Sequence, residues 1–355
     1  MAIVFQDGFD YMKENIGDFA TVPGARYMLK PEWQPHATLG GTINDFQSPG
    51  AYGIGRYAMQ VYTMGITVPQ RSTYIAGFHF YPNTTTATNA TLMVAFMRNG
   101  NVQCGLGWNH DTQTISFWRG AGSVNLGTLP GIFPTQRWYH IEVKATVNSS
   151  TGSFSVNVDG IPAMTVTGLN TQSQGDALVD NVMFQYSYAG TTNLLFNYDN
   201  IVILNTDGSL NNDLLGESVV RCYYPSGAGS STDFTPTPST NANWQNVNQT
   251  SPDLDATYNA SNSIGAEDLF PVTAPAGGTN IRAVDVCAIA RRDDVGLRTL
   301  HVVSKVGGTP YESADAVLSY IFSTAHQLQE LNPNTTAQWV VSDFSTAQFG
   351  YKVQA

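Results

Sequence analysis

Ser153-Phe154-Ser155-Val156-Asn157-Val158 alternates polar and apolar residues, meets Asp159-Gly160, and resumes its alternation from Ile161 to Val166. A period of two places the apolar side chains on one face of a strand. Asp-Gly between two such runs accepts the positive φ that a two-residue hairpin turn demands. Working outward, Asn99-Gly100 separates residues 92–98 from residues 101–107 in the same manner, and His140-Ile141-Glu142-Val143-Lys144-Ala145-Thr146-Val147 alternates again. Alternation with one wet face belongs to antiparallel sheets, because buried parallel strands read as continuous apolar runs. Helical patterning is thin. Residues 315–331 could pass for one helix, yet Tyr320, Phe322 and their Ser and Thr neighbours favour a strand. The expected class is all-β.

The chain has 355 residues, which at roughly 150 per domain suggests two domains. Apolar residues make up 42%, enough for sizeable cores, while charged residues make up only 12%. The net charge is −11, the longest basic run is Arg291-Arg292, and only five residues are Lys. Binding to nucleic acid by counterion release needs clustered Lys and Arg, so nucleic acid is not an expected partner, and neither is an anionic membrane surface. Apolar runs such as Met93-Val94-Ala95-Phe96-Met97 are far shorter than the roughly 20 residues that span a bilayer. The opening Met-Ala-Ile-Val-Phe-Gln-Asp-Gly-Phe-Asp lacks the basic and apolar regions of a secretory signal. Cys104, Cys222 and Cys287 are odd in number and widely spaced, which predicts reduced thiols in a chain made in a cytoplasm. Triplets such as Asn83-Thr84-Thr85 and Asn334-Thr335-Thr336 are then chance matches to a glycosylation signal.

A strand-like run from Leu194 to Leu204 ends at Asn205-Thr206-Asp207-Gly208-Ser209, which puts the domain boundary at 206/207. The stretch 226–262 is rich in Ser, Thr, Pro, Asn and Gly around Trp244, and reads as a binding loop or an arm that orders against a neighbouring subunit.

Motifs for chemistry are mostly missing. No Gly-x-Ser-x-Gly elbow and no Gly-Lys of a P-loop occur. Gly53-Ile54-Gly55-Arg56-Tyr57-Ala58 grazes the dinucleotide pattern but has no helix after it. The six histidines (36, 79, 110, 140, 301, 326) show no paired spacing for zinc. Glycoside hydrolysis needs two neighbouring carboxylates, yet the seven Glu residues (14, 32, 142, 217, 267, 312, 330) are never nearer than 18 apart. Asp253 with Asp255 reads as a solvated turn, and Arg291-Arg292-Asp293-Asp294-Val295-Gly296 as a charged hairpin tip. Asp180-Asn181 and Asp199-Asn200 offer hard oxygen ligands for calcium, but Asn and Asp also end strands for conformational reasons, and that reading is preferred. Trp108, His110, Trp118 and Trp138 present aromatic surface that either stacks on a sugar or fills a sandwich core, with the core reading preferred.

Two sets of motifs carry a resemblance. Trp138-Tyr139-His140-Ile141-Glu142-Val143-Lys144 with Val156-Asn157-Val158-Asp159-Gly160 resembles the concanavalin A-like and laminin-G-like jelly-roll group. Phe5-Gln6-Asp7-Gly8-Phe9-Asp10 and Tyr198-Asp199-Asn200-Ile201-Val202-Ile203-Leu204 resemble the first and last strands of that group. The second half resembles a segment of tailed-bacteriophage virion proteins. Its matching stretches are Asp207 to Gly216, Arg221-Cys222-Tyr223-Tyr224-Pro225, Ala242 to Asn248, Ile264 to Phe270, Leu331 to Thr335, and Gln338-Trp339 leading to Phe349-Gly350-Tyr351-Lys352. The resemblance implies an antiparallel jelly-roll β-sandwich over 1–206 and a second, smaller β-sandwich over 207–355. It carries no catalytic residue across, and the Glu-x-Asp-x-x-Glu strand of the jelly-roll glucanases is absent.

The leading expectation is therefore a non-enzymatic structural component on the outside of a phage particle, assembled in the bacterial cytoplasm. It would be a tail, baseplate, fibre-attachment or capsid decoration protein, present as a homo-oligomer or in many copies and docking other virion proteins. The alternative is an adhesin that recognises host surface glycans, with a glycan hydrolase a distant third. No catalytic residue, metal or cofactor is expected, and no particular residue is assigned to sugar.

Overall fold

A computed structural model describes residues 1–10, 30–35, 43–47, 58–61, 64–82, 90–186, 196–250 and 252–355. His36, Glu14, Gly53 to Tyr57 and Asn83 to Thr85 lie outside them. The described residues contain no α-helix, only strands, turns and short 3₁₀ segments. The chain divides into two compact units.

The first unit runs to Arg221. Its strands are β1 (Ile3–Asp7), β2 (Trp33–Pro35), β3 (Ile43–Gln47), β4 (Ala58–Val61), β5 (Met64–Arg71), β6 (Thr73–Pro82), β7 (Ala90–Arg98) and β8 (Asn101–Asn109). They continue as β9 (Thr114–Arg119), β10 (Val124–Thr128), β11 (Tyr139–Thr146), β12 (Gly152–Val158), β13 (Ile161–Leu169), β14 (Val179–Tyr186) and β15 (Phe196–Asn205). One sheet has the order β13-β12-β11-β6-β15-β4-β3, and β1 pairs with β15 beside β4. The other has the order β10-β9-β8-β7-β14-β5-β2. Neighbouring strands are antiparallel, as in a jelly-roll β-sandwich.

The inward face of each sheet carries the apolar half of the alternation. Phe117 of β9 stacks on Phe154 of β12 with centroids 4.2 Å apart, and Phe184 of β14 meets Phe78 of β6 edge-on at 5.4 Å. Rings from the two sheets thus interlock, and each buried aromatic removes roughly 150–250 Å² from water. The hairpin that sets the reading of the sequence is present. Asp159 (φ 51°) and Gly160 (φ 74°) form its turn, and both positive values match the twist of the flanking strands.

The second unit comprises Lys30 and Pro31 with Cys222–Ala355. Its strands are β16 (Thr235–Thr237), β17 (Tyr258–Ala260), β18 (Glu267–Phe270), β19 (Val284–Ala290), β20 (Thr299–Val306), β21 (Thr309–Glu312), β22 (Ala316–Val317), β23 (Ser323–Gln329) and β24 (Gln348–Val353). A sheet β18-β24-β20-β21, with β22 also on β20, packs against the pair β19-β23 around Trp339, Phe344 and Phe349. Within residues 315–331, Ala316–Val317 and Ser323–Gln329 are strands and none is helix, while Tyr320 and Phe322 lie in the bend between the two strands.

Three expectations change. The division between units falls after Arg221, because residues 213–220 lie across the first sheet instead of starting the next unit. The stretch 226–262 folds onto the second unit and is no free arm. It holds the hairpin pair β16-β17 and a 3₁₀ turn at Asn243–Asn246, fastened by the buried Asp268. That carboxylate accepts from Phe234 N (3.1 Å) and Asn243 Nδ2 (2.8 Å). Finally, residues 291–296 form no hairpin tip. They cross from β19 to β20, which lie in different sheets.

Candidate functional site

The outward face of β6, β11 and β15 holds polar and aromatic groups in one row. In β6, Phe78 and Phe80 point into the core, so Gly77, His79 and Tyr81 point out. In β11, Ile141 and Val143 are buried, and His140, Glu142 and Lys144 take the opposite parity. Register sets His140 opposite His79 and Glu142 opposite Gly77. The two imidazoles lie with centroids 4.9 Å apart, and next to them Tyr81 meets Trp138 at 5.3 Å with planes 50° apart.

Residues 213–220 cover one end of this row. Lys144 Nζ holds Asp213 at 2.9 Å, Leu215 N and Gly216 N donate to Glu142, and Val220 N donates to Asn200 Oδ1 at 2.7 Å. Gly8 is required where the strap passes, since a Cβ there would lie 2.6 Å from the Val220 carbonyl oxygen. The cavity left between Glu142, His140, Leu215 and Ser218 holds about one water molecule, so no sugar fits beneath the strap.

Burial decides the electrostatics. His79 and His140 are 0% and 1% exposed. Burial lowers both to about 4, the charge of Asp159 pulling the other way, and in His140 the neighbouring His79 adds to the lowering. Both are neutral at pH 7. Nδ1 of His140 makes no hydrogen bond among the described residues, and His79 Nε2 lies 3.6 Å from Glu217.

The hydrogen bonds of the strap reach Lys144, Glu142 and Asn200 and, among the described residues, do not extend to the other end of the row. Tyr81 and Trp138 are half-buried, and Arg137, next to Trp138, is exposed and paired with Asp159 at 3.2 Å. This end offers an aromatic platform, a guanidinium and a carboxylate to solvent.

The remaining aromatic candidates behave differently. Trp108 is fully buried, its indole N–H donating to Phe133 O at 3.0 Å, and so cannot meet a sugar. Trp118 is half-buried against Leu92, Ala95, Met97, Val102 and Met183. His110 is half-exposed beside Asp111. Asp180 holds Arg98 and the Asn99 amide, while Asn200 takes positive φ at a bulge within β15, donates its N–H to Asp199 and accepts Val220 N of the strap. Asp253 caps Thr257, and Asp255 pairs with Arg291.

Two clusters in the second unit escaped sequence reasoning. His301 lies between Glu312 and Asp315, and Lys352 closes on Glu312 at 2.6 Å. Burial alone would lower His301, but the two carboxylates outweigh it and raise its pKa. Asp285, Cys287 and His326 converge on the pair β19-β23. Register across 41 residues of chain makes the second cluster, of which only the Asp-x-Cys spacing is visible in the sequence, while the first joins His301 to Glu312, 11 residues on, and to Asp315, 14 residues on.

No family model and no curated protein matches the chain. Among solved structures, the chain is similar to "Cellulose induced protein, Cip1" at 16% identity and TM-score 0.37, covering 56% of this chain and 96% of that one. It is also similar to the carbohydrate binding module CBM66 from Bacillus subtilis at 10% identity and TM-score 0.34, covering 50% and 99%. A third similarity is to a mutant of alginate lyase Aly36B in complex with alginate trisaccharide, at 13% identity and TM-score 0.33, covering 41% and 83%. Likeness at this level says nothing of ligand or activity.

Proposed function

We propose that the first unit binds a carbohydrate chain at the Tyr81–Trp138 end of its outer face, without catalysis. The observation that carries this reading is the half-exposed Tyr81–Trp138 pair beside the ion pair of exposed Arg137 with half-buried Asp159. An aromatic face takes the apolar C–H face of a pyranose ring, and a few fixed polar groups orient its hydroxyls. The strap closes the rest of the row, which leaves a surface site suited to an extended glycan. Titration of the full chain against a broad panel of bacterial surface polysaccharides is expected to find a binder, and Trp138→Ala is expected to weaken it at least about tenfold, roughly 1.4 kcal/mol. An empty panel, or a Trp138→Ala variant that binds as well as the wild type, refutes the assignment.

A second reading, a structural part of a tailed-phage particle that docks other virion proteins, is favoured by one feature of the second unit. Val295, Leu297, Val317 and Tyr320 are 83%, 65%, 64% and 51% exposed. Their segments are held side by side by Leu318 N to Arg298 O and Arg292 N to Ser319 O, both 2.8 Å. Clustered exposed apolar groups of this kind mark protein contacts. Quantitative mass spectrometry of purified particles tests it. Copies in small multiples of three or six in the tail fraction fit an attachment protein, and absence from the particle removes the reading.

A further inference from the structure

Asp285 and Cys287 are two residues apart on β19, so their side chains share one face, and Cys287 stands opposite His326 of β23. A carboxylate oxygen, the thiol sulfur and an imidazole nitrogen from these residues all lie within 4.8 Å of one another. Nδ1 of His326 is 3.0 Å from Asp285 Oδ1. In a tetrahedral zinc site with bonds of about 2.0–2.3 Å, donor atoms stand about 3.3–3.8 Å apart. The imidazole–carboxylate separation of 3.0 Å is already close to this range, and no separation among the three donors exceeds it by more than about 1 Å.

The donor set selects the ion. Calcium and magnesium take oxygen ligands almost exclusively, whereas a thiolate, an imidazole and a carboxylate together suit a borderline-soft divalent cation. Lys30 strengthens the arrangement. Its Nζ sits 2.6 Å from Asp285 Oδ2, which fixes the carboxylate plane from the side away from Oδ1. Outer contacts of this kind orient metal ligands. Cys287 is exposed, and an ion has access from solvent.

We propose that Asp285, Cys287 and His326 form a site for one divalent cation of the zinc class, with the fourth position open to solvent. Binding replaces the His326–Asp285 hydrogen bond by two metal–ligand bonds. The Cys287 thiol loses its proton to solvent as the sulfur–metal bond forms, the Nδ1 proton that made the hydrogen bond to Asp285 is likewise released to solvent, and the neutral ring ligates through Nδ1 with a proton on Nε2. No redox change is involved. The ion would clip together β19 and β23, a two-stranded pair of a kind that has little stability by itself.

Cobalt(II) titrated into the metal-free full chain tests this directly. Expected are one equivalent bound, the ligand-field bands of tetrahedral cobalt, and a sulfur-to-cobalt charge-transfer band in the near ultraviolet, all abolished by added zinc. Cys287→Ser is expected to remove the charge-transfer band, and Asp285→Asn to weaken binding at least about tenfold. A second readout needs no variant: zinc is expected to slow alkylation of Cys287 by iodoacetamide, followed on its peptide by mass spectrometry, while Cys222 is unaffected. No cobalt bands in metal excess, a charge-transfer band that survives Cys287→Ser, or unchanged alkylation in zinc each overturns the site.

Discussion

The two units use histidine in opposite ways. In the first, His79 and His140 lie against each other beneath the strap, and burial lowers both to about 4. In the second, His301 bridges Glu312 and Asp315 and is raised above its ordinary value. The cores differ in parallel. The first unit interlocks rings from two broad sheets, whereas the second packs a five-stranded sheet and a two-stranded one around few aromatics. A small sheet buries less apolar surface, so single polar residues such as Asp268 carry a larger share of the organisation. The difference teaches that one alternating pattern can be finished by ring packing or by a hydrogen-bonded hub.

Truncating a ring is the strongest way to test this division. Phe78 is fully buried and contacts Phe184 and Tyr198. Phe78→Ala is expected to cost about 3–5 kcal/mol, measured by urea unfolding at neutral pH. Hydrogen exchange should place the loss in the first unit. Uniform loss in both units would break the comparison.

Acid is the next lever. Both histidines of the first unit are held below their unfolded value of 6.5, so between pH 6.5 and about 4 the unfolded chain binds protons that the folded one refuses. Stability of the first unit is complete above that window and falls as the pH drops, by roughly 1.4 kcal/mol per pH unit for each histidine. His301 has the opposite sign: its contribution is complete below 6.5 and is lost as the pH rises through its raised folded value. Pulse proteolysis at pH 5 and pH 7, with the fragments identified by mass spectrometry, should find the first unit weakened in acid and the contacts of His301 kept. His140→Gln should flatten about half of the acid response, and an unchanged response would mean that the histidines are not its source.

Asp268→Asn sharpens the contrast from the other side. The amide replaces one acceptor oxygen by a donor that faces the donors of Asn243 and Asn259. The expected cost is about 1–2 kcal/mol, with faster hydrogen exchange confined to residues 226–262. Exchange that stays slow there would remove Asp268 from its place as the hub.

Much of the fold was legible because it is local. The hairpin around Asp159-Gly160, the alternation of β11 and the strand ending near Leu204 follow from residue spacing alone. The candidate sites are not local. Tyr81 meets Trp138, and Cys287 meets His326, only through register set by pairings between distant strands. Trp108 and Trp138 look alike in sequence, yet strand parity and the turn at Phe133 bury one and leave the other half-open. The stretch 226–262 looks like an arm because its order rests on Asp268, a residue outside it. Composition cannot reveal a partner that the fold supplies.

The smallest expected effect is one in which the two units agree. Gly160 closes the hairpin β12-β13 of the first unit, and Gly308 the hairpin β20-β21 of the second, with φ of 74° and 84°. A Cβ on either glycine would meet nothing within 4 Å. Alanine therefore brings no clash and removes no contact, and its only cost is holding an L-residue at positive φ. Gly160→Ala and Gly308→Ala should each cost about 1 kcal/mol by urea unfolding, without change in the dependence on denaturant. Turn chemistry is indifferent to whether rings or a polar hub finish the core, so equal values keep the comparison confined to the cores. A markedly larger cost at Gly308 would mean that the second unit, with its smaller core, depends on its turns more than the first.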